Sequence, residues 1–432
     1  MFAVAWKPLV SAMSFAFANF RDDFMVQRAI GGFNHCAALA ARFDMPEVFD
    51  YLILSLSRVS GLVQAPAASQ EVGNFPVVEV EGQKVTVSPV AVRFGTNVKA
   101  QLAAVVLFTI ANHNGAFIRR GWTQIFEIYQ TLFTHSLLPP SMLMMEDFLS
   151  GGSAIPLKPK TVAVPREERR GDGGLLSTLS SYLLSPYGAG SEMAGTDFTD
   201  DDIETTLSAV DCIASCRVEE LYSQILCVSL SLDELALLPR RRDADAPPVA
   251  RSDLKGEALV APVQVLVDLV QRVTIDRTRT RSGSGSAPNS PQISITPSRV
   301  QLPYDPSAVL LLEIATSIVA RSGESLTDLW PSSFDFLQRL LASANSFSSL
   351  FNERVVASLL RLVAEVIKSD ELRDSCFLAL DMLRSLSPTV LSSVAEPLMA
   401  GLSRVFLENA ARVQCVPFLP RLESASPSEA CS

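Results

Sequence analysis

The chain is poor in the side chains on which most site chemistry rests. Three histidines occur in 432 residues, and the seven cysteines are odd in number and irregularly spaced. That pattern excludes a regular disulfide framework and a repeated zinc-ligand spacing, and it points to a reducing, cytosolic compartment. Positive charge is also short: 36 Lys and Arg stand against 46 Asp and Glu, a formal net charge of -10. A general nucleic-acid binder needs basic surface for phosphate contacts, so that class is excluded. No stretch stays apolar for the ~20 residues that a bilayer span requires. The opening MFAVAWKPLVSAMSFAF is apolar, but Lys7 and Pro8 interrupt it and no basic segment precedes it. It reads as a helix cut into by the start of a fragment, not as a signal peptide. A phosphate-binding G-x-x-x-x-G-K-[ST] loop and a G-x-S-x-G nucleophile elbow are both absent.

What the chain has is apolar residues at helical spacing. Hydrophobic residues make up 48% and charged residues 19%, enough for a large core in two or three domains. Between Arg21 and Leu62, Val26, Ile30, Phe33, Ala37 and Ala40 recur at steps of four and three, one face of a helix. Asp44-Met45-Pro46-Glu47 reads as a stop and restart, with Asp44 placed to cap the next helix. A second stripe at Phe49, Ile53 and Leu56 runs to Gly61, a plausible terminator. The expectation is two antiparallel helices joined by a tight turn.

Further along, 64–76 reads as a linker and 77–87 (VVEVEGQKVTV) as a short hairpin turning at Glu81-Gly82. From Asn97, LAAVVLFTIA is apolar on all sides, as a core helix is, and Asn114-Gly115 ends it. Ile118, Trp122, Ile125, Tyr129 and Leu132 form another stripe, closed by Pro139-Pro140. Glycine, proline and charge dominate 152–172, which reads as disordered; within 151–198 only GGLLSTLSSYLLSP, with Leu176, Leu179 and Leu183 on one side, reads as a short amphipathic helix. Thr199 before three aspartates is a strong helix start. Helices are expected over 203–216 and 218–229, and over 257–275 with a break at Pro262. The segments 239–256 and 276–304 read as linkers, the second disordered for want of apolar surface. Past 305 the pattern is helical again, over 307–321, 333–343, 351–368, 371–386 and 388–412, with a frayed tail at 414–432. The fold class is all-α: a right-handed α-solenoid of armadillo or HEAT-like helix pairs with disordered insertions.

Two long motifs carry a family resemblance: QRAIGGFNHCAALAARFDMPEVFDYLILSLSRVSGL, and FGTNVKAQLAAVVLFTIANHNGAFIRRGWTQIFEIYQTLF. They resemble the region just downstream of the catalytic domain in large Arf guanine-nucleotide exchange factors, above all the Golgi, brefeldin-A-resistance type of yeasts and animals. The likeness covers roughly 1–150, returns near 174–186, and resumes over about 305–413 in LWPSSFDFLQRLLASA, NERVVASLLRLVAEVIKSDELRDSCFLALDMLRSLSP and PLMAGLSRVFLENAARV. It implies two downstream homology regions, 1–150 and 305–413, with the helical segment 199–275 between them. It also implies that the exchange domain, with its glutamate finger, lies before Met1. The chain itself is then not an enzyme and holds no cofactor. The implied partners are an Arf-family GTPase through that upstream domain, other trafficking proteins, and the Golgi membrane, where the protein is peripheral and otherwise cytosolic. A helical-repeat adaptor with no tie to Arf is the alternative.

Candidate sites divide between a functional and an ordinary structural reading. His35, His113 and His135 can be set beside serines and acids to make a hydrolase triad, but each has a plain place at a helix face or end. Cys212 and Cys216 lie at i and i+4, yet lack the two further ligands of structural zinc, so free buried thiols are the better reading. Within the resembling region, Asp50, Asn97 and Lys99 are candidate partner-binding residues; helix caps or buried ties between repeats explain them as well. Arg277, Arg279 and Arg281 offer weak attraction to anionic lipid or simple solubility. Ser290-Pro291 and Thr296-Pro297 are phosphosite candidates. Phe2, Trp6, Leu9, Met13 and Phe17 recur at helical steps and are candidate membrane contacts; their alternative is packing against the second helix pair.

Overall fold

The computed structural model describes residues 1–63, 75–80, 83–145, 147–149, 162–163, 198–226, 257–276 and 304–413. The expected amphipathic helix at 174–186, the basic positions Arg277, Arg279 and Arg281, the sites at Ser290 and Thr296, and the tail lie outside the described residues, as do nearly all the residues expected to be disordered or linkers. Among the described residues the chain is a stack of helices with one small sheet. The helices are α1 (Phe2–Asn19), α2 (Asp23–Arg42), α3 (Pro46–Ser60), α4 (Pro89–Thr96), α5 (Val98–Asn114), α6 (Trp122–Thr134), α7 (Asp200–Cys216), α8 (Val218–Ile225), α9 (Glu257–Gln271), α10 (Pro306–Ala320), α11 (Leu326–Ala342), α12 (Ser349–Val366), α13 (Ser375–Arg384), α14 (Pro388–Ser393) and α15 (Ala395–Glu408).

Local chemistry sets where these helices start and stop. The carboxylate of Asp22 accepts from Phe24 N–H at the head of α2. Thr199 and Asp202 form a reciprocal capping box on α7, which satisfies two backbone donors that a helix start leaves open. Gly61 ends α3 at φ 63°, a left-handed conformation that costs glycine least. The α2–α3 turn departs from expectation. Met45, not Asp44, precedes α3, and Asp44 makes no cap; it takes the left-handed turn position at φ 51°. An aspartate tolerates that region better than most residues. The prolines also behave less disruptively than the sequence suggests. Pro262 lies inside α9 without ending it, because only one backbone bond near the helix start is lost while a full apolar face is buried. The expected helix 388–412 is instead divided at Val394 into α14 and α15, while the expected 333–343 begins earlier, at Leu326.

The hairpin forms as expected: β1 (Pro76–Val80) pairs antiparallel with β2 (Gln83–Thr86) in the register Val80↔Gln83. A short third strand, β3 (Val162–Ala163), joins parallel to β1 from a segment that reads as loop in the sequence. The sheet packs through Val78 and Val87 on Ile203 of α7.

Packing joins the stack into one core, a contiguous cluster of buried apolar side chains from Val10 in α1 to Val405 in α15. Helix α5 lies inside it, packed on α3 and α7, with Ala103, Leu107, Phe108 and Ala111 fully buried. Helix α4 crosses α7 so closely that a Cβ on Gly95 would meet the Thr205 carbonyl oxygen at 1.8 Å, so only glycine fits. The run Ala258–Ile275 is long and apolar enough to cross a membrane by length and composition alone, but 56% of it is buried. It packs on α6, α10 and α11 as a core helix.

One charged network runs through the second half of this core. The Arg354 guanidinium, with its side chain 7% exposed, lies 2.9 Å from Asp147 and 2.8 Å from Glu353. Glu313 in α10 sits 3.9 Å from Arg354 and 4.0 Å from Arg361. Burial outweighs those two guanidiniums and raises the Glu313 pKa to about 7. A raised acid contributes its stability below its unfolded pKa and loses it as pH climbs through 7. Arg354 thereby ties the end of the first helical region to α10 and α12. Replacing Arg354 by Met leaves Asp147 and Glu313 without their main counter-charge in a dry setting, and unfolding free energy should fall by about 3–5 kcal/mol. Chemical denaturation of the two proteins measures this; an unchanged midpoint would refute it.

Candidate functional site

The three polar candidates of the first region are each engaged inside the chain. Asp50 projects from the first half of α3 to the turn before α6. Its Oδ1 accepts from the backbone N–H of Arg119 at 3.0 Å and Gly121 at 2.8 Å, and its Oδ2 accepts from Arg120 at 3.0 Å. A carboxylate at a helix start meets open donors and the positive end of the helix dipole together. Asn97 caps α5, accepting from Ala100 N–H at 3.1 Å. Lys99 Nζ donates to the carbonyls of Ala18 and Phe20, at 2.8 and 2.6 Å, where α1 ends. That satisfies carbonyls a helix C-terminus leaves open. The structure brings Asp50 to α6 and Lys99 to α1, so these two hold helices together while Asn97 caps its own helix, and the three do not meet at a common point.

Helix α1 presents a different face from the one the sequence stripe suggests. Phe17 is fully buried, edge-on to Phe33 with ring centroids 6.0 Å apart, and packs in the core. Met13 packs over Gly32, and Trp6 meets Tyr51 edge-on at 5.7 Å. Phe2, Trp6 and Met13 are half-buried against the core. Of the five, Leu9 stays exposed; Val4 at 87% and Phe15 at 64% exposure are also exposed on α1, on a face of their own away from the core. The stripe with larger residues found the core, because α2 and α3 supply apolar neighbours on that side. Phe15 escaped sequence reasoning, since exposure of an aromatic depends on whether another helix covers it. Exposed apolar residues continue beyond α1 at Phe20, Phe24, Leu39 and Phe43.

The remaining candidates take ordinary structural places. His35 Nδ1 lies 2.6 Å from the Gly31 carbonyl and His113 Nδ1 2.7 Å from that of Thr109, both within their own helices. His135 follows α6 in the interior, 5.0 Å from the Phe75 ring centroid. Burial, then the nearby Arg93 charge, lowers its pKa to about 4. The structure does not assemble these histidines into one constellation. Cys212 and Cys216 are buried free thiols side by side on α7. The hydrogen bond with Cys212 and burial both push the Cys216 thiol up. Among the described residues, no group of three or more His, Cys, Asp and Glu side chains is arranged to hold a metal ion.

What this geometry offers is surface for binding. The chain's relatives bear on that reading. No family model matches the chain. It is 26% identical over 419 residues to a Golgi-specific brefeldin A-resistance guanine nucleotide exchange factor 1 homolog of Caenorhabditis elegans, a match covering 96% of this chain and 19% of that protein. ARF guanine-nucleotide exchange factor 2 of Saccharomyces cerevisiae is 26% identical over 223 residues, 49% of this chain and 14% of the yeast protein. ARF guanine-nucleotide exchange factor GNOM of Arabidopsis thaliana is 29% identical over 139 residues, 32% of the chain and 8% of the plant protein. The chain thus spans less than a fifth of the length of these curated relatives. The yeast and plant proteins are named as Arf guanine-nucleotide exchange factors and the nematode protein as a Golgi-specific exchange-factor homolog, the group that the chain's long motifs resemble.

The Asp50 cap is the tie most open to test. Asp50→Ala leaves three backbone donors without their acceptor, and stability should drop by roughly 2–4 kcal/mol, with Asp50→Asn intermediate. Thermal or urea unfolding checks the order; an Ala variant as stable as the parent would show that water replaces the carboxylate without loss.

Proposed function

We propose that this chain is a regulatory and scaffold portion of an Arf-family guanine-nucleotide exchange factor that works in vesicle transport at the Golgi. The observation that carries the reading is the match to the Caenorhabditis elegans protein, which takes in 96% of the chain but only a fifth of the relative. The chain contributes helical surface, while exchange on the Arf GTPase belongs to an upstream domain. We assign the helical layer 1–150 and the helical-repeat region 305–413 to the two downstream homology regions. The protein is cytosolic and peripheral on Golgi membranes, with the GTPase and other trafficking proteins as partners.

Contact with the membrane runs through the exposed side of α1, where Val4 and Phe15 share a face and Leu9 lies exposed on its flank. A helix lying in a lipid interface binds by buried apolar area, and anionic attraction adds only where basic residues line its polar face. Lys7 is the only basic residue within α1 itself, so binding is weak and nearly independent of lipid charge.

Two measurements test this reading. Purified chain should leave fluorescent-nucleotide release from Arf GTPases at the spontaneous rate; clear acceleration would contradict a separate exchange domain. In liposome flotation the full chain should float weakly on neutral and anionic vesicles alike, and a Leu9→Asp/Phe15→Asp variant should not. Both substituted residues are exposed, so the fold should survive, which circular dichroism checks. Equal flotation of parent and variant, or none by either, would remove the membrane role from α1.

A further inference from the structure

A second surface lies between α5 and α7. There the two helices leave an open groove of about 530 Å³, within the range of ~300–1,000 Å³ that binding sites occupy. The apolar pocket between α12, α13 and α15 is far smaller, about 40 Å³, which is room for little more than a methyl group or a water. On α5 the groove presents Val98, Leu102 and Val105, one stripe at steps of four and three; on α7 it presents Glu204, Leu207 and Asp211 at steps of three and four. Val98 is 65% exposed although fully apolar.

The polar groups of the floor are already used. Gln101 Nε2 donates to the Gly95 carbonyl at 2.8 Å and to Ser208 Oγ at 3.0 Å, and the Cys212 thiol points to the Gln101 carbonyl. What remains for an incoming group is apolar surface and two carboxylates. Among the described residues, no cation lines the groove. Lys99, next in sequence to Val98, is turned away onto the carbonyls that end α1.

We propose that this groove docks a cationic amphipathic helix of a partner protein. Apolar and acidic positions each repeat over seven residues, about 10 Å of helix, which matches two to three turns of an occupant carrying apolar anchors at i, i+4 and i+7 with Lys or Arg alongside. Charge sets the class of partner. An anionic membrane or a nucleic acid is repelled by Glu204 and Asp211, and by Asp200 and Asp201 in the first turn of the same helix. An added strand needs a sheet edge, which neither wall supplies. The proposal stands on the groove itself and does not depend on the exchange-factor reading.

The test uses the full chain and two labelled synthetic peptides sharing one helical leucine pattern, one flanked by lysines and the other by glutamates. By fluorescence anisotropy the lysine peptide should bind, more weakly as salt rises, and the glutamate peptide should bind at least about tenfold more weakly. Glu204→Lys/Asp211→Lys, two surface changes that leave the core intact, should reverse that preference. Leu102→Gln should weaken the lysine peptide without altering the charge preference. Absence of lysine-peptide binding, equal binding of the two peptides, or an unreversed preference in the double variant would overturn the proposal. So would self-association of the chain through the groove.

Discussion

A pair of helices cannot bury its own apolar face, and in this chain each pair relies on the next to do so. The single core from Val10 to Val405 is the result, and it constrains everything else in the molecule. Because side chains from successive layers interdigitate, helix directions must be held to small tolerances. Two polar ties, one centred on a carboxylate and one on a guanidinium, help to set them. Asp50 joins α3 to the start of α6 through three backbone donors. Arg354 gathers Asp147, Glu313 and Glu353 across the boundary between the first region and the last. The first uses a helix dipole and open N–H groups; the second places charge in a dry interior, where its loss is felt most.

A stack of this kind has two sorts of surface, and they differ in chemistry here. At the first helix the exposed side has no neighbour, so Val4, Leu9 and Phe15 meet solvent beside a single lysine. Between α5 and α7 a groove keeps apolar residues at its floor and carboxylates at its rim. The former suits an interface in which buried area matters more than charge; the latter discriminates by charge. Both arise from one architecture, since a helix ridge in a solenoid is either covered by the next layer or left to a partner.

How much of this was legible beforehand follows the range of the interaction involved. Apolar periodicity, the capping box at Thr199, the stop at Gly61 and the hairpin at 77–87 are all local, and each is readable from a few adjacent residues. The likeness to Arf exchange factors is legible too, because long contiguous motifs such as QRAIGGFNHCAALAARFD carry it. Proline at 262 misled because its local cost is small beside the burial of the rest of α9. Asp44 misled because a cap and a left-handed turn draw on the same residue types.

Sequence by itself determined that the fold class is all-α with one short hairpin, and where most of the described helices lie. Only the tertiary structure decided which face of each helix is inside. The five-residue stripe of α1 is helical on any reading, but whether Phe17 meets lipid or Phe33 depends on where α2 returns. Asp50 likewise has an unremarkable place in α3 until a segment some seventy residues later brings three N–H groups to it. The reason is physical: periodicity fixes an angle around one helix axis, while burial and polar pairing depend on a second helix whose position no local pattern contains.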